Sequence, residues 1–196
     1  MAAQNSQKIN IGYFVSTTVA EFVFIGGAMV TDRYGLPIEF RYTEPVRANR
    51  LQRILYGDVL ERYIHSDVIL TNLLERMENI PSVNIVSDAS YIPVVSGKGS
   101  AAIWIGETRA PQLTKIGEVQ ESASNEFLLQ LRETGSPIRV KTADNSPEAR
   151  QCIVQQLVDL SETMDLIEPL HRIESAIALL WEESSDNTLT PIVCVQ

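Results

Sequence analysis

Only two cysteines, Cys152 and Cys194, occur in 196 residues. They lie far apart and show no CxxC spacing. This excludes a disulfide framework and points to two reduced thiols in a cytosolic protein. Only His65 and His171 are available to complete a zinc set, so neither a metal nor a cofactor is expected from these groups. Long apolar runs are missing too. The longest, residues 22–30, is broken by Gly26-Gly27 and falls far short of a membrane span. The opening MAAQNSQK lacks the apolar centre of a signal peptide. The chain therefore reads as cytoplasmic with no membrane partner. There is no GxSxG frame for a nucleophile, no internal repeat and no low-complexity tract. The loop Ser96-Gly97-Lys98-Gly99-Ser100 lacks the GxxxxGK[ST] spacing, and a strand follows it where phosphate binding requires a helix start.

What is present is an ordinary globular composition, 44% hydrophobic and 21% charged, with enough length to bury a core without a covalent staple. The net charge is −9 and unevenly placed. Residues 1–117 balance 11 acids against 11 bases, whereas residues 118–196 hold 14 acids and 5 bases. The overall field is unfavourable to a phosphate backbone.

Along the chain, residues 1–7 read as disordered and residues 8–15 as a strand. Residues 17–31 form an apolar β segment with Gly26-Gly27 as a bulge or bend. Asp32-Arg33-Tyr34-Gly35 is a turn, Gly35 supplying the positive φ that such a connection needs. The next strand sets Leu36, Ile38, Phe40 and Tyr42 on one face, expected to be buried, and Glu39, Arg41 and Thr43 on the other. Pro45 ends it. A helical stripe of Leu51, Ile54 and Leu55 continues past Gly57 through Val59, Leu60, Tyr63 and Ile64. Ser66 is placed to cap a second segment carrying Ile69, Leu70, Leu73, Leu74 and Met77. Short strands are expected over 83–86, 91–95, 101–105, 113–119 and 137–142, and a short helix over 125–132. Ser146-Pro147-Glu148 opens a helix. A second helix spans about 165–183, and residues 188–195 read as a tail strand. The fold class is α+β: an antiparallel sheet, one long or broken helix packed on it, and an acidic C-terminal helical pair over 146–183, in a single domain of residues 1–196.

Two site readings follow. Asp32, Glu39 and Asp88 stand at strand ends or on a neighbouring strand. A sheet that gathers such carboxylates can hold Mg²⁺ for phosphodiester hydrolysis in an RNase H-like manner, as a metal-dependent nuclease or phosphohydrolase. The other reading is the arginine series Arg33, Arg41, Arg47, Arg50 and Arg53. Spacing places Arg47, Arg50 and Arg53 on one helical face, suited to an acidic protein surface or, near Tyr34 and Tyr42, to a phosphate. His65 and His171 are read as surface or structural residues. The strand–DxxG–strand unit around Asp32–Gly35 resembles the hairpin of small regulatory α/β modules of the roadblock or profilin type, and that resemblance implies partner binding without catalysis.

The sequence reading that results is a non-enzymatic interaction or assembly subunit. It binds through Arg41, Arg47, Arg50 and Arg53 and through the acidic C-terminal helices. The partner is another protein or a second copy, and net charge disfavours nucleic acid.

Overall fold

The computed structural model describes residues 9–96, 100–144 and 146–185. Nine strands build one sheet, and helices cover both of its faces. β1 (Ile11–Ala20) and β2 (Val23–Thr31) form a long hairpin through the two-residue turn Glu21-Phe22. β3 (Pro37–Tyr42) lines the outer edge of β2, and the short β4 (Val46–Arg47) pairs with the start of β2. On the other side of β1 lie β5 (Val83–Val86) and β6 (Ala101–Gly106), followed by β9 (Ile138–Thr142), β8 (Glu126–Leu129) and β7 (Val119–Ala123). The class is α+β, mostly antiparallel, but β1–β5 and β5–β6 are parallel. A parallel pair needs a crossover, and the helical segment between β4 and β5 supplies it.

That segment is one bent rod of several helical types. It comprises α1 (Arg50–Tyr56), a 3₁₀ turn (Gly57–Val59), α2 (Leu60–Tyr63), a π-helical stretch (Ile64–Leu70) and α3 (Thr71–Arg76). Asn49 caps it in a reciprocal box with Gln52, satisfying two otherwise orphaned N–H groups. Ser66 lies buried inside the π-helical stretch and caps nothing. On the opposite face lie α5 (Pro147–Ser161), capped by Ser146, and α6 (Glu168–Ser185).

The period of two along β1 sorts its side chains between the helical layers. Ile11, Tyr13 and Val15 pack with Ile153, Leu157, Leu160, Leu170, Ile173 and Ile177 of α5 and α6. Phe14 joins Phe24, Ala28, Leu60, Ile64, Ile69, Leu70 and Leu73 beneath the bent rod. Gly26 and Gly27 form no bulge: they pair in register with Ser16 and Val15. Their role is to let helices approach. A Cβ on Gly26 would stand 2.1 Å from Ile69 Cγ2, and one on Gly27 2.8 Å from Ile173 Cγ2.

Several expected elements differ. Residues 91–95 are helical, a 3₁₀ turn (Ala89–Tyr91) leading into α4 (Ile92–Val95). Asp88 caps this turn through Ser90 N. Residues 125–132 hold β8 and no helix, and the strand expected over 113–119 begins only at Val119. Leu36, Phe40 and Tyr42 are exposed because β3 is an edge strand. Leu51, Ile54 and Leu55 are exposed as well, and α1 buries no residue. The expected tail strand, the opening disorder and most of the Ser96–Ser100 loop lie outside the described residues. Among the described residues no helix is long and apolar enough to cross a membrane.

Candidate functional site

β1 and β5 run parallel, so their carboxyl ends open at one pole of the sheet, where such sheets form ligand crevices. Three elements converge there. Ser16, buried near the end of β1, faces the bent rod. Its Oγ stands 2.7 Å from His65 Nδ1, carried by the π-helical stretch. Asp88 follows β5, and Glu61 lies one turn before His65. Burial lowers the His65 pKa, and the Glu61 and Asp88 carboxylates pull only partly against it. The lowered pKa favours the neutral imidazole, and Ser16 Oγ and His65 Nδ1 share one hydrogen bond. Phe24 meets the ring edge-on at 5.1 Å. Tyr91 Oη donates to the Ser16 carbonyl at 3.1 Å. Burial, then Asp88, pushes the Tyr91 pKa up to about 12, so that hydroxyl stays a donor.

The hairpin tip reaches beyond this pair at the same pole. Phe22 has φ 55°, a left-handed backbone that costs a bulky residue about 1 kcal/mol or more. Two contacts hold it. Ala48 N donates to the Phe22 carbonyl at 3.0 Å, and the Arg53 guanidinium lies over the Phe22 ring at 4.5 Å. Arg47 lies over the Trp181 ring at 5.3 Å. Together Glu21, Phe22, Val23, Arg47, Ala48 and Arg53 line a pocket of about 250 Å³. A larger groove of about 430 Å³ lies between β7 and α5. Its arginine, Arg150, is already neutralised by Glu121 at 2.8 Å.

The residues singled out from sequence are distributed as follows. Arg47 sits in β4, paired with Val23, and Arg50 opens α1; with Arg53 they share the pole, though no single helical face. Arg41 is apart from them, engaged by Glu39 at 2.9 Å and Glu78 at 2.8 Å. Asp32, Glu39 and Asp88 do not meet. Thr31 pairs with Ile11, at the end where β1 begins, whereas Asp88 follows Val86, which pairs with Phe14. Asp32 Oδ1 accepts from Tyr34 N and Leu36 N inside its turn. Glu39 accepts from Arg41 Nε, Glu78 N, Asn79 N and Asn79 Nδ2. Burial pushes its pKa up, but the Asn79, Arg41 and Glu78 hydrogen bonds outweigh that and hold it at about 2. Among the described residues no group of three or more His, Cys, Asp or Glu is placed to hold a metal ion. A hydroxyl bonded to an imidazole is also a poor match for a hard cation such as Mg²⁺. The expected carboxylate–metal site does not fit, and no chemical step is derived through it.

Sequence reasoning missed Ser16, Phe22 and the pairing of His65. The available signal was topological: a helical crossover between two strands makes them parallel and sends their carboxyl ends to one place.

No family model and no curated protein matches the sequence. Solved structures do resemble the fold. Human endonuclease V aligns with a TM-score of 0.64 and 10% identity, over 92% of this chain and 87% of that one. Bacillus subtilis endonuclease V gives 0.62 and 11%, over 91% and 83%. Ciona intestinalis endonuclease V, in complex with a 23mer DNA containing an inosine followed by a ribo-adenosine, gives 0.55 and 9%, over 92% and 88%. At such identities the likeness is one of fold. It nevertheless overturns the reading of a non-enzymatic assembly subunit with a protein partner or a second copy: the fold is one that endonucleases carry over nearly their whole length, and one such structure holds DNA. The net-charge argument against nucleic acid fails with it, because charge averaged over the chain ignores where the arginines stand. The roadblock or profilin resemblance rested on a hairpin common to many sheets.

Proposed function

We propose that this protein binds a nucleic-acid strand at the carboxyl-end pole of its sheet and acts on the phosphodiester backbone as a nuclease, in the reducing cytoplasm that its two cysteines suit. The observation that carries the reading is co-location: Arg47, Arg50 and Arg53 stand at the same pole as the Ser16–His65 pair, on a fold shared with endonucleases. The arginines supply phosphate contacts that position a strand without reading its sequence. Neutral His65 is the general base of this reading. It takes the proton of the Ser16 hydroxyl, or of a water molecule, as that oxygen bonds to phosphorus. The P–O bond to the leaving oxygen breaks, and the imidazolium returns the proton to that oxygen; on the Ser16 route water then hydrolyses the phosphoseryl ester.

The test combines binding and cleavage of end-labelled single-stranded DNA, duplex DNA and RNA at low ionic strength. Wild type binds and cuts. His65→Gln cuts about 10²-fold more slowly or worse and still binds. Failure to bind any of the three overturns the reading; binding without cleavage removes its nuclease half.

A further inference from the structure

The pocket at the hairpin tip points to a narrower role: we propose that Arg47 and Arg53 form a seat for a phosphoryl group, rather than a general basic surface. Four observations converge. First, neither guanidinium has a carboxylate within ion-pair distance among the described residues. Second, each lies over an aromatic ring, Arg53 on Phe22 at 4.5 Å and Arg47 on Trp181 at 5.3 Å. Stacking occupies the face of a guanidinium and leaves its in-plane N–H fork free, the geometry that grips phosphate oxygens. Third, Arg53 Nε is buried without a hydrogen-bond partner, a donor that a bound oxyanion would satisfy. Fourth, Phe22 holds a left-handed backbone, the one non-glycine among the described residues to do so. Strain of this kind concentrates at ligand clamps; here it places the ring under Arg53.

Glu21 lines the same pocket. Its carboxylate opposes an anion and sets the occupancy of the seat. Arg50 is the internal control, because it shares the pole but does not line the pocket. The ligand assignment rests on the nucleic-acid reading: a strand phosphate, terminal or internal, is the expected occupant, and free phosphate or a mononucleotide offers the same chemistry.

Fluorescence anisotropy with 5′-phosphorylated and 5′-hydroxyl single-stranded oligonucleotides, and calorimetry with inorganic phosphate and a nucleoside monophosphate, test the seat. Arg53→Gln and Arg47→Gln are each expected to weaken oligonucleotide binding about ten-fold or more, Arg50→Gln by clearly less, and Glu21→Gln to strengthen it. Arg53→Lys keeps the charge and removes the fork. A loss of about ten-fold or more in this variant, with an unchanged thermal midpoint, supports the seat even where the glutamine variant folds poorly. Preference for the 5′-phosphorylated strand identifies a terminal phosphate, and equal affinity an internal one; both support the seat if they depend on Arg53. Oligonucleotide binding that falls equally in the Arg47, Arg50 and Arg53 variants overturns the seat and leaves the nucleic-acid reading standing. Saturable binding of inorganic phosphate through Arg53, with no oligonucleotide bound, keeps the seat and removes the nucleic-acid reading. Binding of neither overturns both.

Discussion

His65 and Glu39 both titrate below their ordinary values, for opposite physical reasons: burial disfavours the charged imidazole, whereas hydrogen bonds favour the charged carboxylate. The folded protein holds His65 below its ordinary value of 6.5, so the unfolded chain takes up a proton first as the solution is acidified. The stability due to this group is complete above pH 6.5 and is lost as pH falls toward the lowered folded value. Urea melts between pH 8 and 5 should show this decline, and His65→Gln should flatten it. Glu39 titrates from 4.5 in the unfolded chain to about 2 in the folded one. Its contribution is present above pH 4.5 and disappears on approach to pH 2. Glu39→Gln is expected to cost about 1–3 kcal/mol at pH 7, with the gap to wild type closing over that acid range.

At the scale of elements, the bent rod divides into a half that builds the core and a half that does not. Ile69 and Leu73 are fully covered, whereas Leu51, Ile54 and Leu55 are 64–71% exposed. Ile69→Ala should cost about 2–5 kcal/mol, and the double change Ile54→Glu, Leu55→Glu about 0.5 kcal/mol or less, both read from chemical denaturation. Gly26→Ala should be destabilising by about 1–3 kcal/mol despite its small size, because the added methyl collides with Ile69. The same division explains what the sequence made legible. The β2–β3 hairpin could be read residue by residue because turn chemistry is local: Asp32 accepts from the two N–H groups of its own turn, and Gly35 supplies φ 78°. Ser146-Pro147-Glu148 marked α5 for the same reason. Periodicity around Leu51 correctly gave a helix but could not say whether another element would cover its apolar stripe. Residues 91–95 carry β-branched side chains yet turn helical, because Asp88 caps the turn before them. The edge position of β3, which exposes Phe40 and Tyr42, is a property of strand order. The Ser16–His65 contact joins residues 49 apart in sequence, and no local pattern announces it.

The whole molecule carries −9, and its pole sets Arg47, Arg50 and Arg53 beside the carboxylates of Glu21, Glu61 and Asp88, so phosphate binding there rests on individual guanidinium contacts rather than on the overall field. Counterion release depends on the contacts made, and three phosphate contacts on a single strand give a log–log salt slope of about −2. Arg47→Glu combined with Arg50→Glu should reduce that slope and the affinity together, with thermal stability unchanged; an unaltered slope would move the interface elsewhere on the surface.

The parallel pairing of β1 with β5 also has a bearing on how the protein comes into being. The hairpins linking β1, β2 and β3 close over short loops and can form early, whereas Phe14 meets Val86 only after the entire bent rod has been laid down between them. Closing so long a loop is slow compared with hairpin formation. Ser16 thus gains its contact with Tyr91, which follows β5, only once that long loop has closed. Appearance of the His65 contact, followed by NMR during refolding, would time the docking of the bent rod on β1, and nascent chains released before residue 88 would lack Asp88 and Tyr91 at the pole.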